Sequence, residues 1–155
     1  MALHKELLKK CINYITTSLH ISNEKDIIIN PCAGGGELIR PIEDLTRFTF
    51  NYDTKHRPYN NKTNDPEITE LDFLTVNYHK FDRTYLSGLW YDKVHIISCP
   101  PEATVFSFLR KCSEFADSIA FILPTAFPYT NVPDYTLILS AELNTNYCLK
   151  VWRRD

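Results

Sequence analysis

The sequence lacks a basic excess. Its 17 lysines and arginines stand against 19 aspartates and glutamates, for a formal charge of −2. That excludes a freestanding polycation that grips nucleic acid by charge alone, although a local basic patch remains compatible with it. Long apolar runs are also missing. Residues 27–29 and 119–123 are short, against the roughly 18–20 residues that span a bilayer. The opening residues Met-Ala-Leu-His-Lys-Glu alternate charge with apolar side chains, so the apolar stretch of about 7–15 residues in a signal peptide is absent. The five cysteines (Cys11, Cys32, Cys99, Cys112 and Cys148) are odd in number and form no C-x-x-C pair. Neither a disulfide framework nor a zinc knuckle is indicated. The five histidines show no ligand spacing either, and no metal is expected. Reduced thiols and an intracellular protein, cytoplasmic or nuclear, are the expectation. Glycine is scarce: of four in the chain, three are consecutive, at 34–36.

What is present reads as one α/β domain over residues 1–155, a length that supports a core without staples. Leu3, Leu7, Leu8, Cys11, Ile12, Ile15 and Leu19 fall at helical spacing, so residues 1–22 predict an amphipathic N-terminal helix. Asp26-Ile27-Ile28-Ile29-Asn30 predicts a strand buried on both faces. The glycine turn follows it, and then a helix over 37–45 with Pro41 in its early part. Residues 47–53 predict a second strand ending at Asp53. Residues 54–66 are a polar, aperiodic loop whose composition permits mobility. A short strand at 67–70, an aromatic-rich irregular or helical stretch at 74–91 and a strand at 93–98 come next. A helix at 103–115 and a strand at 118–123 then precede a hairpin of two strands joined at 144–146. Strands separated by crossovers predict a mostly parallel, seven-stranded Rossmann-like sheet with an antiparallel member at its edge. His95 falls in a buried strand and reads as a satisfied core histidine.

Three signals sit at the ends of successive strands. A glycine-rich turn lets backbone N–H groups approach a ligand, but equally serves as a tight strand-to-helix turn. The pattern G-G-G-E is neither a dinucleotide fingerprint nor a P-loop. A carboxylate where Asp53 stands can accept from a ribose diol, or can be an ordinary solvated acid. Asp72 can accept from an exocyclic amine, and Phe73 can lie against a purine or pack in the core.

Together these residues resemble the class I S-adenosylmethionine-dependent methyltransferases, in the branch that methylates exocyclic amines of nucleic-acid bases (N6-adenine type). Asn30-Pro31-Cys32-Ala33-Gly34-Gly35-Gly36 resembles the family's [DE]-P-x-A-G-x-G. Tyr52-Asp53 resembles its ribose-binding acid, and Leu71-Asp72-Phe73 its G-D-F adenine motif. Cys99-Pro100-Pro101-Glu102 stands where the family carries its catalytic [DNS]-P-P-[YFW]. The resemblance implies S-adenosylmethionine as cofactor, held by Asn30, Cys32, Ala33, Gly34, Gly36, Asp53, Asp72 and Phe73. It places the catalytic position at Cys99, Pro100, Pro101 and Glu102.

The departures fall at the reacting end. Cys99 replaces a polar acceptor with a weak one. Glu102 replaces the aromatic that stacks on a flipped base, an interaction worth about 1–3 kcal/mol. Asn30 replaces an acid, and Lys55 occupies a position that is often acidic. Cys99 as a nucleophile, Glu102 as a group that binds a cationic or amine-bearing substrate, and a decayed motif on a retained fold are the alternatives. The implied function is therefore an S-adenosylmethionine-binding methyltransferase-like protein, or an inactive binding or scaffold subunit on the same fold. With little chain left over for target recognition and no basic charge, a partner subunit is expected to supply much of any grip on nucleic acid.

Overall fold

The computed structural model describes residues 3–34, 36–76, 91–128 and 130–155. The expected aromatic stretch at 74–91 falls largely outside the described residues, as does Gly35. The elements run α1 (Lys5–Ser18), β1 (Ile27–Asn30), α2 (Ile39–Glu43), β2 (Phe48–Asp53), β3 (Thr69–Glu70), β4 (Val94–Ser98), α3 (Val105–Cys112), β5 (Ser118–Pro124), β6 (Tyr135–Glu142) and β7 (Tyr147–Arg154). A 3₁₀ turn, Glu102–Thr104, leads into α3.

The seven strands form one sheet in the order β3-β2-β1-β4-β5-β7-β6. Strands β1 to β5 pair in parallel, and β7 runs antiparallel to both of its neighbours. The closing hairpin thus forms that side of the sheet, with its second strand inside and its first at the edge. Its turn is fixed by Asn144, whose Oδ1 accepts from the N–H groups of Asn146 and Tyr147, both at 2.8 Å.

The strand alternation sorts side chains into two layers, because successive residues face opposite sides of a sheet. Ile27, Ile29, Ile96, Ile119 and Phe121 enter a core with Val105, Phe108 and Leu109 of α3. Ile28, Ile97, Ala120 and Ile122 enter the other, with Leu7, Leu8, Cys11 and Ile15 of α1. Both faces are therefore covered, which is why β1, β4 and β5 are mostly apolar and keep their polar side chains (Asn30, His95, Ser98 and Ser118) at or next to the strand ends.

All three helices are shorter than expected, and residues 19–22 already lie beyond α1. Residues 37 and 38 belong to the turn before α2, and Pro41 sits in the first turn of that helix. No intrahelical N–H bond is due there, so the proline costs none. Residues 113–115 leave α3 in tight turns, with Phe115 and Ala116 N–H groups both bonded to Cys112 O. The end of β7 closes this corner. Arg154 donates to the carbonyls of Ala116 (3.1 Å) and Ser113 (3.0 Å), and stacks its guanidinium 4.8 Å from the centre of the Tyr135 ring.

At the amino ends of the strands lies a polar network. His95 Nε2 is 2.8 Å from Asp26 Oδ2, and His95 Nδ1 is 2.6 Å from Ser118 Oγ. All three residues are buried. Asp26 also accepts from the Ser22 and Lys93 N–H groups. His95 is a satisfied core histidine, as a buried polar side chain has to be.

Candidate functional site

The opposite, carboxyl ends of the strands carry most of the residues singled out from sequence. The chain leaves β1 through Pro31 and makes its glycine turn with Gly34 at φ +53° and Gly36 at φ +87°. These left-handed values are the reason for glycine there, since a Cβ would crowd the backbone. The turn is docked on β2. Ala33 N–H donates to Tyr52 O at 2.9 Å, and Gly34 N–H donates to Asp53 Oδ2 at 2.7 Å. The other carboxylate oxygen of Asp53 accepts from Thr54 N–H at 2.7 Å. Asp53 is half-buried and keeps lone-pair capacity for a further donor.

A residue not singled out from sequence, Ser98, ties the glycine turn to β4. It is fully buried; its hydroxyl donates to Asn30 Oδ1 at 2.6 Å and accepts from Cys32 N–H at 3.1 Å. Asn30 Nδ2 is buried with no partner among the described residues. The only sequence signal for Ser98 is its place immediately before Cys99.

The 54–66 loop folds back toward the same turn. Arg57 and Ile68 exchange backbone hydrogen bonds at 2.9 and 2.7 Å, and Asn60 and Asp65 do so at 3.1 and 3.2 Å. Arg57 pairs with Asp65 at 3.0 Å. A Cβ built on Gly36 would stand 3.2 Å from Arg57 Nη1, so the guanidinium lies over the bare face of the turn. Hydrogen bonding from Thr63 and then from Arg57 holds the Asp65 carboxyl below its ordinary range.

Asp72 is exposed. Its Oδ1 accepts from Leu74 N–H at 3.2 Å, and its carbonyl oxygen accepts from Thr75. Phe73 requires a correction: expected beside a cofactor, its side chain is only 1% exposed. Its ring packs 6.2 Å from that of Phe108 and 6.0 Å from that of Phe115. Asp72 turns outward while the Phe73 ring joins the core beside β4 and α3, with Leu74 packed against it, so hydrophobic burial decides its direction.

The expected catalytic segment borders a cavity of about 400 Å³. Cys32 and Gly34 line it from the glycine turn, Cys99 and Glu102 from beyond β4, and Glu37 and Tyr147 complete its polar lining. Cys32, Ala33, Gly34 and the four residues 99–102 thus meet here, whereas Asp53, Asp72 and Phe73 do not line it. The Cys99 thiol is pushed up to about 12, chiefly by burial and then by the negative charge of Glu37. Cys32 is likewise pushed up to about 12 by burial. Both are neutral thiols at physiological pH, which removes Cys99 as a ready nucleophile. Glu37 and Tyr147 escaped the sequence reading, the first because it merely follows three glycines, the second because only the β5–β7 pairing brings it here.

No group of metal-ligating side chains occurs among the described residues. Nor is any described helix long and apolar enough to cross a membrane. Sequence comparison finds no matching protein-family model and no significantly similar curated protein. Solved structures do match. The 23S rRNA methyltransferase ErmE superposes with a TM-score of 0.59 at 11% identity, over 95% of this chain and 68% of that one. An rRNA methylase from Streptococcus thermophilus gives 0.57 at 10%, over 99% of both chains. A Streptococcus mutans protein solved in complex with SAH gives 0.53 at 11%, over 99% of this chain and 100% of that one. At such identities the likeness is one of architecture, and it establishes that this chain has the Rossmann-like methyltransferase fold.

Proposed function

We propose that the chain binds S-adenosylmethionine at the carboxyl ends of β1 and β2 and is a methyltransferase-like protein related to nucleic-acid amino-methyltransferases. The observation that carries this reading is the glycine turn bonded to the acid of the second strand, Gly34 N–H to Asp53 at 2.7 Å. The residues present fit such a cofactor. Gly34 and Gly36 expose bare backbone, Asp53 retains acceptor capacity for a ribose diol, and Asp72 Oδ2 takes no partner among the described residues. Asn30 offers an unpaired buried amide donor at the start of the turn. When bound, the cofactor supplies an electrophilic methyl group on a sulfonium, so positioning of an acceptor is the main task left to the protein.

At the acceptor end, the neutral Cys99 thiol accepts hydrogen bonds weakly, and Glu102 gives no stacking face. These two side chains support a second reading, a cofactor-binding scaffold without base methylation. Calorimetric titration with S-adenosylmethionine and S-adenosylhomocysteine decides whether the crevice binds cofactor. We expect binding of both, weakened at least tenfold in Asp53→Ala, and failure of both ligands to bind overturns the proposal. Methyl transfer to DNA, RNA or protein that depends on Asp53 would reject the scaffold reading.

A further inference from the structure

The two edges of the sheet are unlike. At one, β3 has two residues; at the other, β6 has eight and bonds only to β7. Edge strands are guarded by shortness, lysine, proline or a bulge. Residues 135–142 hold no lysine, no proline and one charge, Glu142. Leu137, Ile138, Leu139 and Ala141 are half-buried rather than covered. A bulge between Leu137 and Leu139 shifts the register with β7 and confines the regular edge to the residues after it. Leu143 N–H donates to Tyr147 O at 2.9 Å, and bonded and non-bonded pairs alternate along an antiparallel ladder. Ala141 and Leu149 are therefore a bonded pair, whereas Ser140 and Glu142, opposite Lys150 and Cys148, turn their N–H and C=O groups away from β7. No described residue takes those groups. Beside them, Lys150 Nζ donates to Ser140 Oγ at 2.9 Å, so the ammonium lies toward the edge. Neither Lys150 nor Glu142 has an oppositely charged partner among the described residues.

We propose that a second copy of this chain pairs here, β6 against β6, as an antiparallel homodimer with its two-fold axis at Ser140. The outward groups set the register. Ser140 exchanges both backbone bonds with the partner's Ser140, and the axis runs between them. Leu139 then stands opposite the partner's Ala141, and Ala141 opposite the partner's Leu139. These apolar contacts cover side chains that one copy leaves half-buried. Glu142 falls diagonal to the partner's Ser140, on the face over which the partner's Lys150 extends. The two-fold axis forms that ion pair twice, and no like charges meet. Such self-complementarity is what an isologous interface requires, and it favours a copy of the chain over an unrelated strand. The contact is short, so the dimer is weak, in the micromolar range. The inference is independent of the cofactor reading.

The test is sedimentation velocity on the full chain between about 2 and 200 µM, which should show a reversible monomer–dimer equilibrium. Ser140→Pro removes an outward donor from each copy and should raise the dimer Kd at least about tenfold, with a native circular dichroism spectrum. Lys150→Glu and Glu142→Lys should each raise it by about threefold or more at low salt, and the two together should restore it. Amide exchange at Ser140 and Glu142 should slow as protein concentration rises. A monomer at every concentration overturns the proposal. A dimer unmoved by Ser140→Pro and by both charge reversals, with exchange at Ser140 independent of concentration, overturns it too, because the contact then lies elsewhere. A double charge reversal that fails to recover the dimer overturns the register.

Discussion

Single residues at this site show how environment overrides residue type. Cysteine occurs at two positions around the cavity, yet burial raises both thiols, and it raises Cys11, Cys112 and Cys148 as well. A thiol moved from about 8.5 to about 12 loses roughly a thousandfold of its thiolate at pH 8. Native protein should therefore react with a disulfide reagent at pH 8 far more slowly than a free thiol does, and all five cysteines should react at once in denaturant. A single fast-reacting cysteine in the native state would contradict this. Glycine is the converse case, where identity is dictated by geometry. Gly36→Ala must hold φ near +87° and place a methyl 3.2 Å from Arg57 Nη1, whereas the nearest atom to a Cβ on Gly34, at φ +53°, is 4.0 Å away. We expect Gly34→Ala to cost about 1 kcal/mol and Gly36→Ala about 2 kcal/mol or more, read as shifts in urea midpoint. The glycines and Asp53 were legible in the sequence because local backbone chemistry places them. Ser98, Arg57 and Glu37 were not, because each matters through a neighbour distant in the chain. Phe73 was legible as a residue but not in its direction, which the rings of Phe108 and Phe115 decide.

Among elements, the strands were the most legible. Runs such as Ile27-Ile28-Ile29 and Ile119 to Leu123 are apolar on both faces, and polar or turn residues bound them. Helix ends were less so, since a few tight-turn residues beyond α3 and before α2 share the helical apolar spacing without continuing the helix. The 57–68 ladder left no periodic signal because its bonds are between backbones and its side chains are mostly exposed. The β6–β7 turn is held by one side chain, so Asn144→Ala removes the acceptor for two N–H groups. With a net worth of about 1 kcal/mol for a typical bond, the loss should be roughly 1–2 kcal/mol in thermal or urea unfolding, and Asn144→Asp should retain most of the stability. An unchanged melting temperature in Asn144→Ala would show that the strands alone set this turn.

The molecule as a whole separates its polar chemistry into two ends of one sheet, a closed network below and the open crevice above. The lower network gives stability a pH dependence. Burial, opposed by Asp26 and more weakly by Asp117, lowers the pKa of His95 below its ordinary value, with Lys93 adding to the lowering. The folded chain therefore keeps this imidazole neutral where the unfolded chain protonates it. Its contribution is fully present above the unfolded value near 6.5 and is lost as pH falls below it toward the folded value. Between pH 7.5 and 5.5 the loss from this one group should reach up to about 1.4 kcal/mol, and His95→Gln should flatten that part of the urea-midpoint profile. A final consequence follows from the place of β7. The last strand in the sequence is an inner one, and β6 reaches the sheet only through it. On the ribosome, β6 must then wait beside an unfinished edge of β5 until residues 147–154 emerge. Closure of the sheet accordingly waits for β7 itself, and burial of Trp152 against Phe121, edge to face at 6.4 Å, supplies a fluorescence signal that dates it.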